Sequence, residues 1–284
     1  MPFLTLNGTT HYPVMHREIF GFVSDFLQDR SQEAPGTFQM LDCTFGGGNH
    51  SVGLLKRHKN LRVLGVDMDS KVLGQCSQSY SDLIKEKRLA LEHSNFVNAP
   101  YIDVRQAFNK RIGVKDRYDV VLLDLGFSSY QLEDDTRGFS YIRSDDQPLD
   151  MRFDSEKDSA EVSTASEIVN HSTEIELSEI FKKFGEERFH DQLAKKLVDY
   201  RKSHGGLIQT TGALKDAIRE AFPNSARDEK NNMIKRAFQA IRIATNYELL
   251  NLQKFMECAP KDVLGPGSLM MILTFHSLEE RIVS

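Results

Sequence analysis

Asp42, Asp67, Asp124 and His276 each close or directly follow a short apolar run. Carboxylates and imidazoles bind cations, accept hydrogen bonds from hydroxyls and take up protons. After Met40-Leu41-Asp42 comes Cys43-Thr44-Phe45-Gly46-Gly47-Gly48-Asn49-His50, and then a helical pattern through Val52, Leu54 and Leu55. A strand, a glycine turn and a helix start form the layout of a nucleotide-type cofactor site in an open α/β sheet. Glycine suits that turn because a Cβ would keep the backbone off the ligand and penalise φ > 0. Asp67 ends the next run, Leu61–Asp67, about where an acid would meet a ribose.

The loop discriminates between cofactors. A nicotinamide site prefers G-x-G-x-x-G, with the pyrophosphate on the helix N-terminus. Here the pattern is Gly46-x-Gly48-x-x-Ser51, and Asp42 stands just before it. A carboxylate there would repel a pyrophosphate but attract the ammonium of a methionine moiety. The pattern therefore favours S-adenosylmethionine over a nicotinamide oxidoreductase.

The elements that must hold these residues alternate. Strands are expected at Thr37–Asp42, Leu61–Asp67, Leu89–His93 and Tyr118–Asp124, with a helix before them that carries Ile19, Phe20, Val23, Phe26 and Leu27, further helices at Ser70–Ser79 and at Val104–Ile112, and a loop at Asn95–Asn98. Alternation of this kind means a parallel sheet with crossover helices, whose ligands bind outside the carboxyl ends of the strands. The rhythm breaks after Asp124. Residues 132–165 are polar and turn-rich, and 165–222 are helical only, which reads as an inserted helical domain. One long helix over Met233–Met256 then returns to the sheet. Gly265-Pro266-Gly267 reads as a turn, Ser268–Phe275 as the fifth strand, and His276-Ser277-Leu278 as a helix start.

Composition bounds the function. The net charge of −5 excludes a bulk polyanion binder, so a nucleic-acid substrate needs a local basic patch. No run approaches the ~18 apolar residues of a membrane span. The first ten residues carry neither Arg nor Lys, unlike a signal or transit peptide. Cys43, Cys76 and Cys258 have no zinc-ligand spacing, so no metal is expected and all three read as reduced thiols.

Further motifs run in order along the chain. They are His11-x-Pro13-Val14, Asp42-x-Thr44-Phe45-Gly46-x-Gly48-x-His50, Asp67-x-Asp69, Asp124-Leu125-Gly126-x-Ser128-Ser129-x-Gln131-Leu132, Arg137-Gly138-Phe139-Ser140, Pro148-Leu149-Asp150-Met151-Arg152, Gly185-Glu186-Glu187, Phe238-Gln239-Ala240-x-Arg242-Ile243-x-x-Asn246-x-Glu248-Leu249 and Phe275-His276-Ser277-Leu278-Glu279-x-Arg281. In this combination the chain resembles the MraW/RsmH-type small-subunit ribosomal RNA (cytosine-N4)-methyltransferases, including their mitochondrial relatives.

The resemblance implies an α/β, class I Rossmann-like methyltransferase sheet with an inserted all-helical domain. The methyltransferase domain would occupy 1–135 and 231–284, with the polar segment and helical substrate domain at 136–230. Relative to the family the chain would be C-terminally truncated, leaving strand five as an exposed edge. S-adenosylmethionine would contact Gly48, Asn49 and His50, with Asp67 at the ribose, Phe96 at the adenine side, and Asp124 and Gln131 completing the pocket. The substrate would be a cytosine in the decoding region of small-subunit rRNA, free or in the assembling subunit, with no membrane partner and with a homodimer left open. The compartment would be the cytoplasm of a bacterium or a mitochondrial matrix. Asn49 stands where the family usually has glycine. If that position needs φ > 0, Asn is the least costly replacement, at some expense in cofactor affinity. A catalytically weak RNA- or ribosome-binding assembly factor with a retained cofactor site is the alternative.

Residue chemistry supplies the roles. Methyl transfer from a sulfonium is an in-line displacement, helped mainly by alignment and desolvation. A cytosine N4 amine is a weak nucleophile, so an acceptor beside it must localise its lone pair and take its proton. Asp124 is the first candidate and His276 the second. Methylation at carbon five would instead need a cysteine nucleophile, and neither Cys43 nor Cys258 is well placed for that. A flipped base could stack on Phe127, Phe139 or Tyr141 next to Ser128 and Ser129. Arg137, Arg143 and Arg152 could grip phosphates, as could Arg188, Lys195 and Lys202, which recur every seven residues.

Overall fold

The computed structural model describes residues 3–4, 10–11, 13–33, 36–101, 117–142, 146–156, 162–203 and 207–284. The expected helix at Val104–Ile112, the residue Arg143 and the side chain of His11 lie outside what is described. The chain forms two compact units, Met1–Gly126 with Leu250–Ser284, and Phe127–Leu249.

The first unit holds a five-stranded sheet. Its strands are β1 (Phe38–Asp42), β2 (Leu61–Asp67), β3 (Leu89–His93), β4 (Tyr118–Asp124) and β5 (Leu264–Leu273). All are parallel, in the order β3-β2-β1-β4-β5. The doubly wound α/β sheet is as expected, and its order reverses between β1 and β4, where such sheets bind ligands. Every residue of β1 is buried, as a central strand covered on both faces requires. The two-residue period is visible in the core. Leu41 and Cys43, Leu64 and Val66, and Val121 and Leu123 share one cluster with Leu252, Phe255 and Ala259. A separate two-residue ribbon pairs Phe3–Leu4 with Thr10–His11.

Helices α1 (His16–Glu33), α2 (Asn49–Arg57), α3 (Ser70–Ser79) and α4 (Ser81–Lys85) follow in this unit. A 3-10 turn, Phe96–Tyr101, replaces the loop expected after β3. The predicted turn Gly265-Pro266-Gly267 is a bulge inside β5. Tyr118 pairs with Leu264 and Val120 with Leu269, so the extra residues loop out between them. Ser268 closes the bulge by accepting from the Gly265 N–H and donating to the Tyr118 carbonyl at 2.7 Å.

The second unit is helical. It comprises α5 (Ser129–Glu133), α6 (Ala165–His171), α7 (Glu174–Gly185), α8 (His190–Ser203), α9 (Thr211–Ala221) and α10 (Arg227–Asn246) around one apolar core that includes Leu177, Phe181, Leu197, Ile218, Phe238 and Ile241. Capping boxes at Thr164 and Thr173 start α6 and α7. The long helix expected over Met233–Met256 is two helices, α10 and α11 (Glu248–Asp262), broken at Tyr247 with φ 53°. The break has a long-range cause. Asn246 donates to the Met151 carbonyl and accepts from the Phe153 N–H, which ties the end of α10 to a distant loop. A closing helix, α12 (Ser277–Val283), follows β5 in the first unit.

Candidate functional site

Two strand ends of the first unit are sewn together by the glycine loop. Gly46 and Gly48 take φ 50° and 75°. The Gly46 N–H donates to Asp67 Oδ2 at 2.6 Å, which joins the β1 loop to the end of β2. Phe45 lies beneath the loop, where its N–H donates to the Val66 carbonyl. A Cβ on Gly48 would meet the Phe45 ring at 2.5 Å, and one on Gly65 in mid-β2 would meet it at 2.2 Å. Both glycines therefore make room for this ring as well as for the backbone turn. Tyr80, after α3, donates to the Gly47 carbonyl at 2.7 Å and holds the loop from the other side.

β4 joins the same arrangement. The Asp124 N–H donates to Thr44 Oγ1 at 2.6 Å, and the Thr44 N–H donates to Asp42 Oδ1. Ser51 donates to Asp42 Oδ2 at 2.5 Å. Asp42 is thus buried and anchored at both oxygens, and burial pushes its pKa to about 6 against the relief that Ser51 gives. Burial likewise raises Asp67 to about 6, although the N–H groups of Asp69 and Gly46 hold it. Gly46 donates to Oδ2 and Asp69 to Oδ1, so both oxygens of Asp67 are oriented by the backbone.

Asn49 is the first residue of α2, and positive φ falls instead on Gly46 and Gly48. The residue at this position faces no left-handed penalty, so Asn costs the backbone nothing. His50 follows and is only 6 % exposed. Its Nε2 lies 3.5 Å from Asp124 Oδ2. Both ring nitrogens of His50 and Asp124 Oδ1 are buried without a hydrogen-bond partner. Orphan polar atoms of this kind cost stability and point to a partner supplied by a ligand. Glycines in left-handed backbone, carboxylates lifted by burial and unfilled hydrogen-bonding atoms all fit a cationic, hydroxyl-bearing cofactor. Phe96 packs edge-on against Phe255 with centroids 5.6 Å apart, so its ring is fixed next to the end of β3.

His276 caps the helix after β5. Its Nδ1 accepts the Glu279 N–H at 3.3 Å, and its Nε2 lies 3.3 Å from Glu279 Oε1. Glu279 in turn accepts the Phe275 N–H at 2.7 Å. The imidazole starts α12 through Nδ1.

The remaining expected residues belong to the second unit. Ser128 and Gln131 form the capping box of α5, and the Gln131 carboxamide also donates to the Phe153 carbonyl at 3.2 Å. Ser129 is half-buried at the first position of that helix. Phe127, Phe139 and Phe153 stack in a row, with centroids 5.4 Å and 5.9 Å apart. The Arg242 guanidinium lies 5.0 Å over Phe127. With Phe139 on one side and Arg242 over the ring, Phe127 stacks within its own unit, and Phe139 is buried. Tyr141 packs against Phe238. Arg137 is 2 % exposed and donates to the carbonyls of Arg152 and Phe153. Arg152 is 8 % exposed and grips Asp150 at 2.7 Å. These two arginines brace a loop, which corrects the expectation that they grip phosphates. Arg188, Lys195 and Lys202 remain exposed.

Sequence reasoning missed Thr44 as a clasp, Ser51 as the anchor of Asp42 and Tyr80 as a latch. Only Ser51 left a signal, as the polar residue in place of the third glycine. Gly65 inside an apolar strand was a readable sign of close approach by another group.

Comparison with known proteins bears on the whole chain. The model of the MraW methylase family matches residues 8–284. The ribosomal RNA small subunit methyltransferase H of Sulfurihydrogenibium azorense is 37 % identical over 273 residues, which cover 96 % of this chain and 84 % of that protein. The protein of the same name from Thermobifida fusca is 37 % identical over 96 % of this chain and 75 % of its own length. That from Clostridium botulinum is 39 % identical over 86 % of this chain and 72 % of its own.

Proposed function

The chain belongs to the MraW methylase family, and from that premise we propose that it methylates the exocyclic N4 amine of a cytosine in the decoding region of small-subunit ribosomal RNA. S-adenosylmethionine is the cofactor, and when bound it supplies an electrophilic methyl group on a cationic sulfur. Gly46, Gly48, Asn49 and His50 line its place, Asp67 takes the ribose hydroxyls, Phe96 flanks the adenine, and Asp42 adds negative potential under the ammonium. The substrate is the RNA or the assembling subunit that contains it, in whichever compartment that subunit is built. The exposed Arg188, Lys195 and Lys202 are available to its phosphates.

One observation carries the chemistry. Asp124 stands at the switch point of the sheet with Oδ1 buried and unpartnered. A carboxylate oxygen with free lone pairs accepts a hydrogen bond from the N4 amine, which returns electron density to the nitrogen. The bound cofactor would supply the methyl group, and Asp124 takes the proton that the amine sheds. The thiols argue for the amine over ring carbon five. Burial pushes Cys43 well above the ordinary thiol range, Cys76 to about 12, and Cys258 upward, so none is poised as a thiolate nucleophile.

The test uses methyl-labelled S-adenosylmethionine with unmethylated small-subunit RNA and with assembled subunits, followed by nucleoside mass analysis. Labelled N4-methylcytidine is the expected product. Label on another nucleoside overturns the assignment. Cofactor binding with no label on either substrate favours the assembly-factor reading.

A further inference from the structure

Gly46, Gly47 and Gly48 carry no side chain that could fix the shape of their loop. Glycine populates both signs of φ, so their peptide planes are free to rotate unless something outside them holds on. The Gly47–Gly48 peptide is held at each end. The Gly48 N–H donates to the Phe45 carbonyl at 2.7 Å, within the loop. The Gly47 carbonyl accepts from the Tyr80 hydroxyl at 2.7 Å, from outside it. One peptide earlier, the Gly46 carbonyl receives Cys76 Sγ at 3.5 Å, a weak donor that burial keeps as the thiol. Tyr80 itself is set before its hydroxyl is placed. It stands where α3 ends and α4 begins, its N–H donating to the Cys76 carbonyl at 2.9 Å and its carbonyl accepting the Ile84 N–H at 3.2 Å. Its ring lies against Gly48, where an added Cβ would come 3.2 Å from Cε2. A phenylalanine would fill the same space, so the hydroxyl is the part that packing does not require.

We propose that Tyr80 is a positioning residue for the cofactor: its hydroxyl holds the Gly47–Gly48 peptide in the orientation that admits S-adenosylmethionine. The proposal rests on the reading of the glycine loop as the cofactor's place. Without the latch, the empty loop divides its population between this orientation and a flipped one, which glycine at both positions permits. A flip turns the Gly47 carbonyl away from Tyr80 and, because the peptide is planar, takes the Gly48 N–H away from Phe45 with it. The apparent affinity then falls in proportion to the fraction of loops still competent to bind. One neutral hydrogen bond shifts such a balance by about three- to tenfold. A bound cofactor holds the loop by itself, so the reaction at saturating cofactor keeps its rate.

Tyr80→Phe keeps the ring and removes the latch, and it can be tested on the whole chain with and without turnover. Calorimetry should give a dissociation constant for S-adenosylmethionine about three- to tenfold above that of the wild type. The KM for the cofactor should rise with it, while kcat at saturating cofactor and the KM for RNA change less than about twofold. Hydrogen exchange reads the loop without RNA. In the cofactor-free protein, the amides of residues 45–50 should exchange faster in Tyr80→Phe than in the wild type, and those of β1 and β4 should not. Saturating cofactor should return the loop to the wild-type rate. Tyr80→Leu, which also withdraws the ring from Gly48, should lower the melting temperature where Tyr80→Phe leaves it nearly unchanged. Unchanged cofactor affinity in Tyr80→Phe, or an unmoved exchange rate at the loop, would overturn the proposal. An affinity loss accompanied by faster exchange throughout the sheet would overturn it as well, because it would make the hydroxyl a general support of the fold. If the wild type binds no S-adenosylmethionine, the reading of the loop fails on its own, while the exchange rates still decide whether the hydroxyl restrains it.

Discussion

Two polar regions of this molecule look alike as sequence and differ as structure. In the first unit, Asp42, Asp67, Asp124 and His50 gather at strand ends, and Asp124 and His50 keep buried atoms with no hydrogen-bond partner. In the second, Arg137, Arg152 and three phenylalanines look equally suited to a ligand. There, however, the guanidiniums brace carbonyls or Asp150, and the rings stack on one another. Residue type and spacing are therefore weak guides to a site. What separates the regions is where the bonding capacity goes: the guanidiniums of the second bond to carbonyls and Asp150, whereas both ring nitrogens of His50 in the first lack a hydrogen-bond partner.

The sharpest way to break this comparison is at Asp124. Asp124→Ala should slow transfer by about 10²-fold or more, the range of a lost general base, with the fold intact. Single-turnover labelling and a thermal melt check both halves. Turnover at the wild-type rate would remove Asp124 from the mechanism and leave the first region as saturated as the second.

The opposite test falls on Arg137. Arg137→Ala strands the carbonyl of Arg152, at a cost of about 1–3 kcal/mol for a buried group left unpaired, while the Phe153 carbonyl keeps the Gln131 carboxamide. Urea unfolding should register that loss. The salt dependence of RNA binding should keep its slope, since no phosphate contact disappears. A slope reduced by about one would make Arg137 a phosphate ligand after all.

A third test concerns packing under the loop. In Gly65→Ala the new methyl meets the Phe45 ring at 2.2 Å, well inside contact distance. Overpacking of this kind costs about 1–3 kcal/mol. The strain should pass to the glycine loop and weaken cofactor binding, and Phe45→Leu in the same chain should restore part of both. Unchanged stability in Gly65→Ala would mean that the ring has room to withdraw. Smaller in effect is Asp67→Ala, which removes the acceptor for the Gly46 N–H and should weaken cofactor binding several-fold. Unchanged calorimetric affinity would refute its place at the ribose.

What was legible beforehand follows from the range of the forces involved. β2, β3 and β4 begin and end where the apolar runs do, because burial on both faces writes a continuous signal into a few adjacent residues. The carboxylates at Asp42, Asp67 and Asp124 were visible for the same reason. The break at Tyr247 was not, because it depends on Asn246 bonding to a loop far away in the chain. The burial of Arg137 and the latch from Tyr80 to Gly47 are likewise set by distant partners. The capping role of His276 was not legible because a strand-end histidine looks the same whether it faces a ligand or caps the next helix. Only Glu279, placed to bond the Phe275 N–H, distinguishes the two.

The finest test uses protons. Burial lifts both Asp42 and Asp67 from the ordinary carboxylate range to about 6. A folded-state pKa above the unfolded one means that the native protein binds more protons than the unfolded chain. The contribution of these groups to stability is therefore complete below about pH 4 and is lost as pH rises through 6. A cofactor that brings positive charge to Asp42 and hydroxyls to Asp67 favours the ionised forms and drives both pKa values back down. At pH 6, where each group is about half protonated, binding should release protons. By pH 7 the release should be much smaller, because both carboxylates are already mostly charged, and the affinity should rise between pH 5 and 7 and then flatten. Calorimetry at pH 6 in two buffers of different ionisation enthalpy measures the release directly. Heats independent of buffer would mean that the cofactor's charge does not reach these carboxylates, and the first region would then owe its function to Asp124 and His50 alone.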